Sequence, residues 1–140
     1  MSALSIIPRF VEIIATAGTR DATPAIDSGS GNTTFAVETE NIEVSTTETF
    51  NTIKDNQQKL TKVLARISIR VPDTNVLSNS FVNAGTSAKV ILHGAVGAQG
   101  VELSAVDVTG VRKSDASEQY VVITCQREFP TDPFTYFTSV

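Results

Sequence analysis

The chain has 140 residues, a formal net charge of −4 and a pI near 4.9, with one cysteine, one histidine and no tryptophan. That length suits a single domain spanning residues 1–140 around one core, and one cysteine excludes an intrachain disulfide. No Lys/Arg-rich run marks a basic nucleic-acid-binding tail, although mild acidity leaves room for a local basic face.

The opening residues Met1-Ser2-Ala3-Leu4-Ser5-Ile6-Ile7-Pro8-Arg9 lack the basic start and apolar stretch of a secretory signal. No apolar run approaches the roughly 20 residues that cross a bilayer, so the expectation is a soluble chain with no membrane partner. Asn32-Thr33-Thr34 matches a glycosylation sequon and, without an export signal, reads as chance. Residues 6–16 are rich in Ile and Val and predict a first strand, with Pro8 at an edge or strand start. Gly18, Pro24, Gly29 and Gly31 mark residues 18–34 as a loop or wide turn. Residues 35–44 predict a second strand, with Phe35, Val37 and Thr39 on one face and Ala36, Glu38 and Glu40 on the other.

Residues 45–60 fit two patterns. Ser45 and Glu48 form a possible capping box, and Phe50, Ile53, Gln57, Leu60 and Leu64 follow helical spacing. The competing pattern is a hairpin, with a strand over 47–54 and a turn at 55–58. The hairpin is the expectation because residues 61–71 form an unmistakable second arm. Thr61, Val63, Ala65, Ile67, Ile69 and Val71 alternate strictly with Lys62, Leu64, Arg66, Ser68 and Arg70. A strand sorts these onto two faces, whereas a helix would scatter them. Pro72 ends the run because it cannot donate to a ladder.

Asn75, Asn79, Asn83 and Gly85 make residues 73–87 a loop, and residues 88–93 a short strand. The glycines at 94, 97 and 100 mark a turn. Residues 101–111 and 119–129 predict two strands joined by a polar tip at 112–118, after which Pro130 and Pro133 break regular structure. The predicted fold is mainly β: an antiparallel sheet of about six or seven strands with little helix, completed by dimerisation.

Few residues offer chemistry. A catalytic or metal-binding imidazole needs partners, and His93 has none nearby in sequence, so it reads as an ordinary strand-end residue. Cys125 shares a strand face with Val121 and Ile123, which suits a packed thiol, while Arg127 two residues on leaves a reactive thiolate as the alternative. Glu38, Glu40, Glu43 and Glu48 look like a solvated face rather than a carboxylate pair. The 94–100 glycines lack the Lys-Ser/Thr of a phosphate loop, and residues 27–32 lack the carboxylates of a calcium loop. The expectation is a non-enzymatic protein with no cofactor, no metal and no small-molecule substrate.

One constellation remains. Lys62, Arg66 and Arg70 share a strand face with Ser68, successive cations lying about 13 Å apart. That spacing exceeds a Debye length of roughly 8 Å, so they repel one another little and are able to meet successive phosphates. Lys89 on a neighbouring strand would extend the patch, as would Thr124 and Gln126 from a third. The plain alternative is a solvated outer face.

The segment Glu48-Thr49-Phe50-Asn51-Thr52-Ile53-Lys54-Asp55-Asn56-Gln57-Gln58-Lys59-Leu60, running into Ala65-Arg66-Ile67-Ser68-Ile69-Arg70-Val71-Pro72, resembles the central hairpin of coat proteins of small single-stranded RNA bacteriophages (levivirus type). The resemblance covers about half the chain, and its size fits. It implies a homodimer sharing a continuous sheet, whose inner face contacts single-stranded RNA and which assembles into an icosahedral shell. In that frame Lys62, Arg66, Ser68, Arg70 and Lys89 would be the RNA-binding residues, and the protein would be made in the host cytoplasm and reside in the virion. The family ends in two helices that clasp the dimer partner, whereas residues 101–129 read as another hairpin, so the clasp would differ. Two further functions fit the same composition: a tailed-phage decoration or tail subunit that binds other capsid proteins and not nucleic acid, and a small β-fold ligand-binding module.

Overall fold

Apolar and polar residues alternating at a period of two build eight strands: β1 (Pro8–Ile14), β2 (Thr34–Ala36), β3 (Ile42–Thr52), β4 (Gln58–Pro72), β5 (Ser87–Gly94), β6 (Gln99–Ser114), β7 (Gln119–Phe129) and β8 (Phe134–Thr138). These come from a computed structural model that describes residues 7–20, 34–38, 41–53, 57–72, 87–114, 116 and 118–139. The strands form one sheet in the order β2-β1-β5-β6-β7-β4-β3, with β8 paired to β6 off that path. Every pairing is antiparallel, and no helix occurs among the described residues. The expected mainly β antiparallel fold is what the chain adopts.

The apolar residues form one cluster drawn from nearly the whole width of the sheet. Val11 and Ile13 of β1, Leu92 of β5, Val108 of β6, Ile123 of β7, and Ile67 and Ile69 of β4 all belong to it. Its members come from one face of each strand, and β4 shows the sorting best. Val63, Ala65, Ile67, Ile69 and Val71 are buried, while Lys62 just before them and Arg66 among them are exposed. Over the described part of residues 45–60 the hairpin pairing holds, with Val44 opposite Ile67 and Thr52 opposite Gln58, while residues 54–56 of the expected turn lie outside the described residues.

Two bulges keep the apolar residues in phase. In β6 the buried set runs Val101, Leu103, then Val106 and Val108, a change of parity. Ala88 pairs with Val106 and Val90 with Leu103, so Lys89 alone faces Ser104 and Ala105. The extra residue returns Val106 to the core side; without it every later side chain would swap faces. Ala105 accommodates the bulge at φ 58°, and its carbonyl accepts a hydrogen bond from Arg127 Nη1 at 2.9 Å. A second bulge lies where Thr49 pairs with Lys62 but Phe50 with Leu60, and the extra residue, Thr61, donates its hydroxyl to the Thr49 carbonyl at 2.8 Å.

Two sequence expectations need correction. The single strand predicted over 35–44 is two strands at opposite ends of the sheet. Phe35 pairs with Val11, whereas Val44 pairs with Ile67. Between the two strands the Asn41 amide donates to the Glu38 carbonyl at 2.9 Å. The second correction is β8, which comes after the prolines that were expected to end regular structure. Asp132 Oδ1 accepts the Phe134 amide at 3.1 Å and starts the strand, which pairs with the first half of β6 while β7 takes the second half. Residues 21–33 of the loop expected over 18–34 and residues 73–86 of the loop expected over 73–87 lie outside the described residues, with the Asn32 sequon and residues 27–32, as do Thr39 and Glu40.

Candidate nucleic-acid interface

The face of β4 opposite the core joins β3, β7 and β6 in ordered cross-strand rows. One row runs Glu43, Ser68, Thr124, Thr109, and the next runs Ser45, Arg66, Gln126, Asp107. On either side lie Arg70, level with Val122 and Val111, and Lys62, level with Thr49. Four of the five residues expected to bind RNA, Lys62, Arg66, Ser68 and Arg70, therefore share one surface, and Thr124 and Gln126 join them from β7.

Each cation sits in a different environment. Lys62 Nζ lies 3.7 Å from Glu128 Oε2, with both side chains more than half exposed. A pair so open to water contributes little. Arg70 Nη2 bonds Glu118 Oε1 at 2.7 Å, and its guanidinium lies 3.7 Å from the Tyr120 ring centroid, a cation–π stack. Arg66 is exposed and forms no ion pair among the described residues; its cross-strand neighbours are neutral Ser45 and Gln126. Beside Arg70, an open hollow of about 340 Å³ is lined by Asn41, Ile42, Glu43, Ser68 and Val122. Hydroxyl, amide, carboxylate and guanidinium groups thus meet in one concavity next to an aromatic ring.

Lys89 is not brought to this patch. It lies on β5, with β6 and β7 between it and β4, and its ammonium donates to the Gly18 carbonyl at 2.6 Å.

The remaining candidates resolve individually. Cys125 is fully buried in the core, and burial pushes its thiol up to about 12; Arg127 turns away to the Ala105 carbonyl instead. Glu43 and Glu48 face opposite sides of β3, and Glu48 accepts the Thr46 hydroxyl at 3.0 Å. The glycine-rich segment is a turn closed by the end of the chain: Gly97 N donates to Ser139 O and Gly94 N to Ser139 Oγ, at 2.9 and 2.8 Å. Among the described residues no group of three or more His, Cys, Asp or Glu side chains is placed to hold a metal ion.

His93 differs from its expected role. It is buried, with Nε2 2.9 Å from Glu12 Oε1 and the Phe137 ring packed edge-on at 5.7 Å between centroids. The two residues meet because Phe10 pairs with His93 and Glu12 with Ile91. The available signal was a carboxylate inside the apolar run Val11-Glu12-Ile13-Ile14, which only a buried partner makes tolerable. The chain matches no protein-family model, no curated protein and no solved structure.

Proposed function

We propose that this chain is a virion structural protein, a coat subunit that assembles with itself into an icosahedral shell around single-stranded RNA. The observation that carries the reading is the polar face of β4. It presents Lys62, Arg66 and Arg70 at regular spacing, clear of the core, among Ser68, Thr124 and Gln126. Regularly spaced cations suit a repeating phosphate backbone, and hydroxyl and amide groups add donors. The Arg70–Tyr120 stack offers a flat surface on which an unpaired base can pack. Such a subunit would be made in the host cytoplasm and end in the virion. Expressed protein, run on size-exclusion chromatography with absorbance at two wavelengths, is expected as large particles carrying host RNA. A nucleic-acid-free monomer would overturn the proposal.

A second reading rests on the carboxylates. Glu43, Asp107, Glu118 and Glu128 interleave with the cations and lower the net positive charge of the face. That mixture suits a protein surface, and hence a decoration or tail subunit that never touches RNA. The same chromatogram separates the two, since this reading gives RNA-free oligomers.

A further inference from the structure

The two ends of the sheet are unlike. β2 closes one end with three residues, too few to template another strand, whereas β3 presents eleven residues at the other and has no neighbour on its far side among the described residues. Natural sheets protect long edges with charged side chains (lysine above all), proline, a bulge in the edge strand or a cover. Residues 42–53 contain no Lys, Arg, Pro or Gly, their only charges are Glu43 and Glu48, and the nearby bulge lies in β4 rather than in β3. An edge left open in this way fits a partner that supplies a strand.

We propose that β3 pairs antiparallel with β3 of a second copy about a two-fold axis through Thr47. This rests on the reading of the chain as a self-assembling subunit, and it specifies the strand and register of the contact. Placed on that axis, the sequence complements itself. Phe50, about half exposed in one copy, lies opposite the partner's Val44, an aromatic against a β-branched residue of the kind that stabilises sheets. Ser45 meets the partner's Thr49, and Thr47 meets its own copy. Neither glutamate faces a glutamate: Glu43 meets the partner's Asn51 and Glu48 the partner's Thr46. Behind Asn51 in the same cross-strand row stands Lys59, so each Glu43 faces a cation two strand spacings away, about 10 Å between backbones. Long side chains shorten that gap. The contact is isologous, so it closes at two copies. It also sets the polar faces of both copies side by side, with the two β4 strands about 14 Å apart.

Single cysteines read the register in the full-length protein. Directly opposed Cβ atoms lie about 4.5–5.5 Å apart, close to the roughly 3.5–4.5 Å of a disulfide. Thr47→Cys is therefore expected to cross-link to itself under mild oxidation, with free thiols blocked before denaturation. Ser45→Cys and Thr49→Cys are expected to cross-link only when mixed. Cys125 is buried and adds no background. Thr47→Lys places two ammonium groups opposite each other at an exposed site, and is expected to raise the dimer dissociation constant by about tenfold or more in sedimentation while unfolding as the parent does. Unchanged particle yield from Thr47→Lys with no Thr47→Cys cross-link would overturn the pairing and leave the assembling subunit intact. Parent protein that stays monomeric at every concentration would overturn both.

Discussion

Replacing Gly100 with alanine tests how β8 is held. The new Cβ would lie 2.3, 2.5 and 2.8 Å from Cζ, Cε2 and Cε1 of Phe137, which sits directly across from Gly100 in the β6–β8 register. Carbon atoms in ordinary contact stand about 3.5–4.0 Å apart, so the ring must retreat by more than about 1 Å. It cannot do so in place, because one side packs against His93 and Arg20 lies 4.0 Å from its centroid. Overpacking of this kind costs about 1–3 kcal/mol, and the lost aromatic contact adds about 0.5–1.5 kcal/mol. Because Phe137 is only half buried and part of the strain escapes outward, we expect a loss of about 2–3 kcal/mol. In urea that is a fall in midpoint of about 1 M or more. Phe137→Ala removes the obstacle, so Gly100→Ala should cost little in that background, giving a coupling energy nearly as large as the single-mutant effect. A Gly100→Ala protein within about 0.5 kcal/mol of the parent, or a cost unchanged by Phe137→Ala, would refute the packing argument.

The same geometry sets three further expected outcomes. If the polar face carries RNA, Arg66→Ala and Arg70→Ala should each flatten the log–log salt dependence of binding by about 0.7, whereas Lys89→Ala, whose ammonium is held by Gly18, should leave the slope unchanged; fluorescence anisotropy with a single-stranded oligonucleotide across a salt series reads both. His93→Ala removes the imidazole bonded to Glu12 in the interior, and leaving a buried polar group without a partner costs about 1–3 kcal/mol; Glu12 has a further partner, so chemical denaturation should show a loss near the lower end. For Cys125 the native thiol is pushed up to about 12 from an ordinary 9.0. The unfolded chain therefore loses this proton first, and stability should fall between pH 9 and 12, by at most about 1.4 kcal/mol per pH unit, a component that Cys125→Ala abolishes in denaturation curves recorded across that range.

Legibility in the sequence tracked the regularity of each strand. Residues 62–71, beyond the bulge at Thr61, alternate without error because β4 lies between β3 and β7 with one face on the core, so each side chain obeys a single environment. The same alternation exposed the four clustered polar-face residues. It did not reveal their carboxylate partners: Glu118 lies 48 residues from Arg70, a separation that no local pattern spans. In β6 the bulge at Ser104 and Ala105 shifts the alternation halfway along, so the strand was visible but its two phases were not. The segment 35–44 read as continuous because Phe35, Val37 and Val44 are all strand formers, yet Phe35 pairs with β1 and Val44 with β4, at opposite ends of the strand order. β8 was hidden by the prolines before it, which break the chain only up to Pro133. The Glu12–His93 pair needed the β1–β5 register, which the alternation of either strand alone does not fix.

The order of pairing has a kinetic consequence. Only β3–β4, β5–β6 and β6–β7 join strands adjacent in the chain, apart from the short β1–β2 contact, whereas β1 must wait for β5, some 80 residues later, and β4 for β7. Folds dominated by such distant contacts close slowly, over milliseconds to seconds. During synthesis the β3–β4 hairpin can form as soon as it emerges, while Val11 and Ile13 remain uncovered until β5 has been translated. A late step falls to Ser139, which ties the Gly94–Gly97 turn to a strand end more than 40 residues further along the sequence.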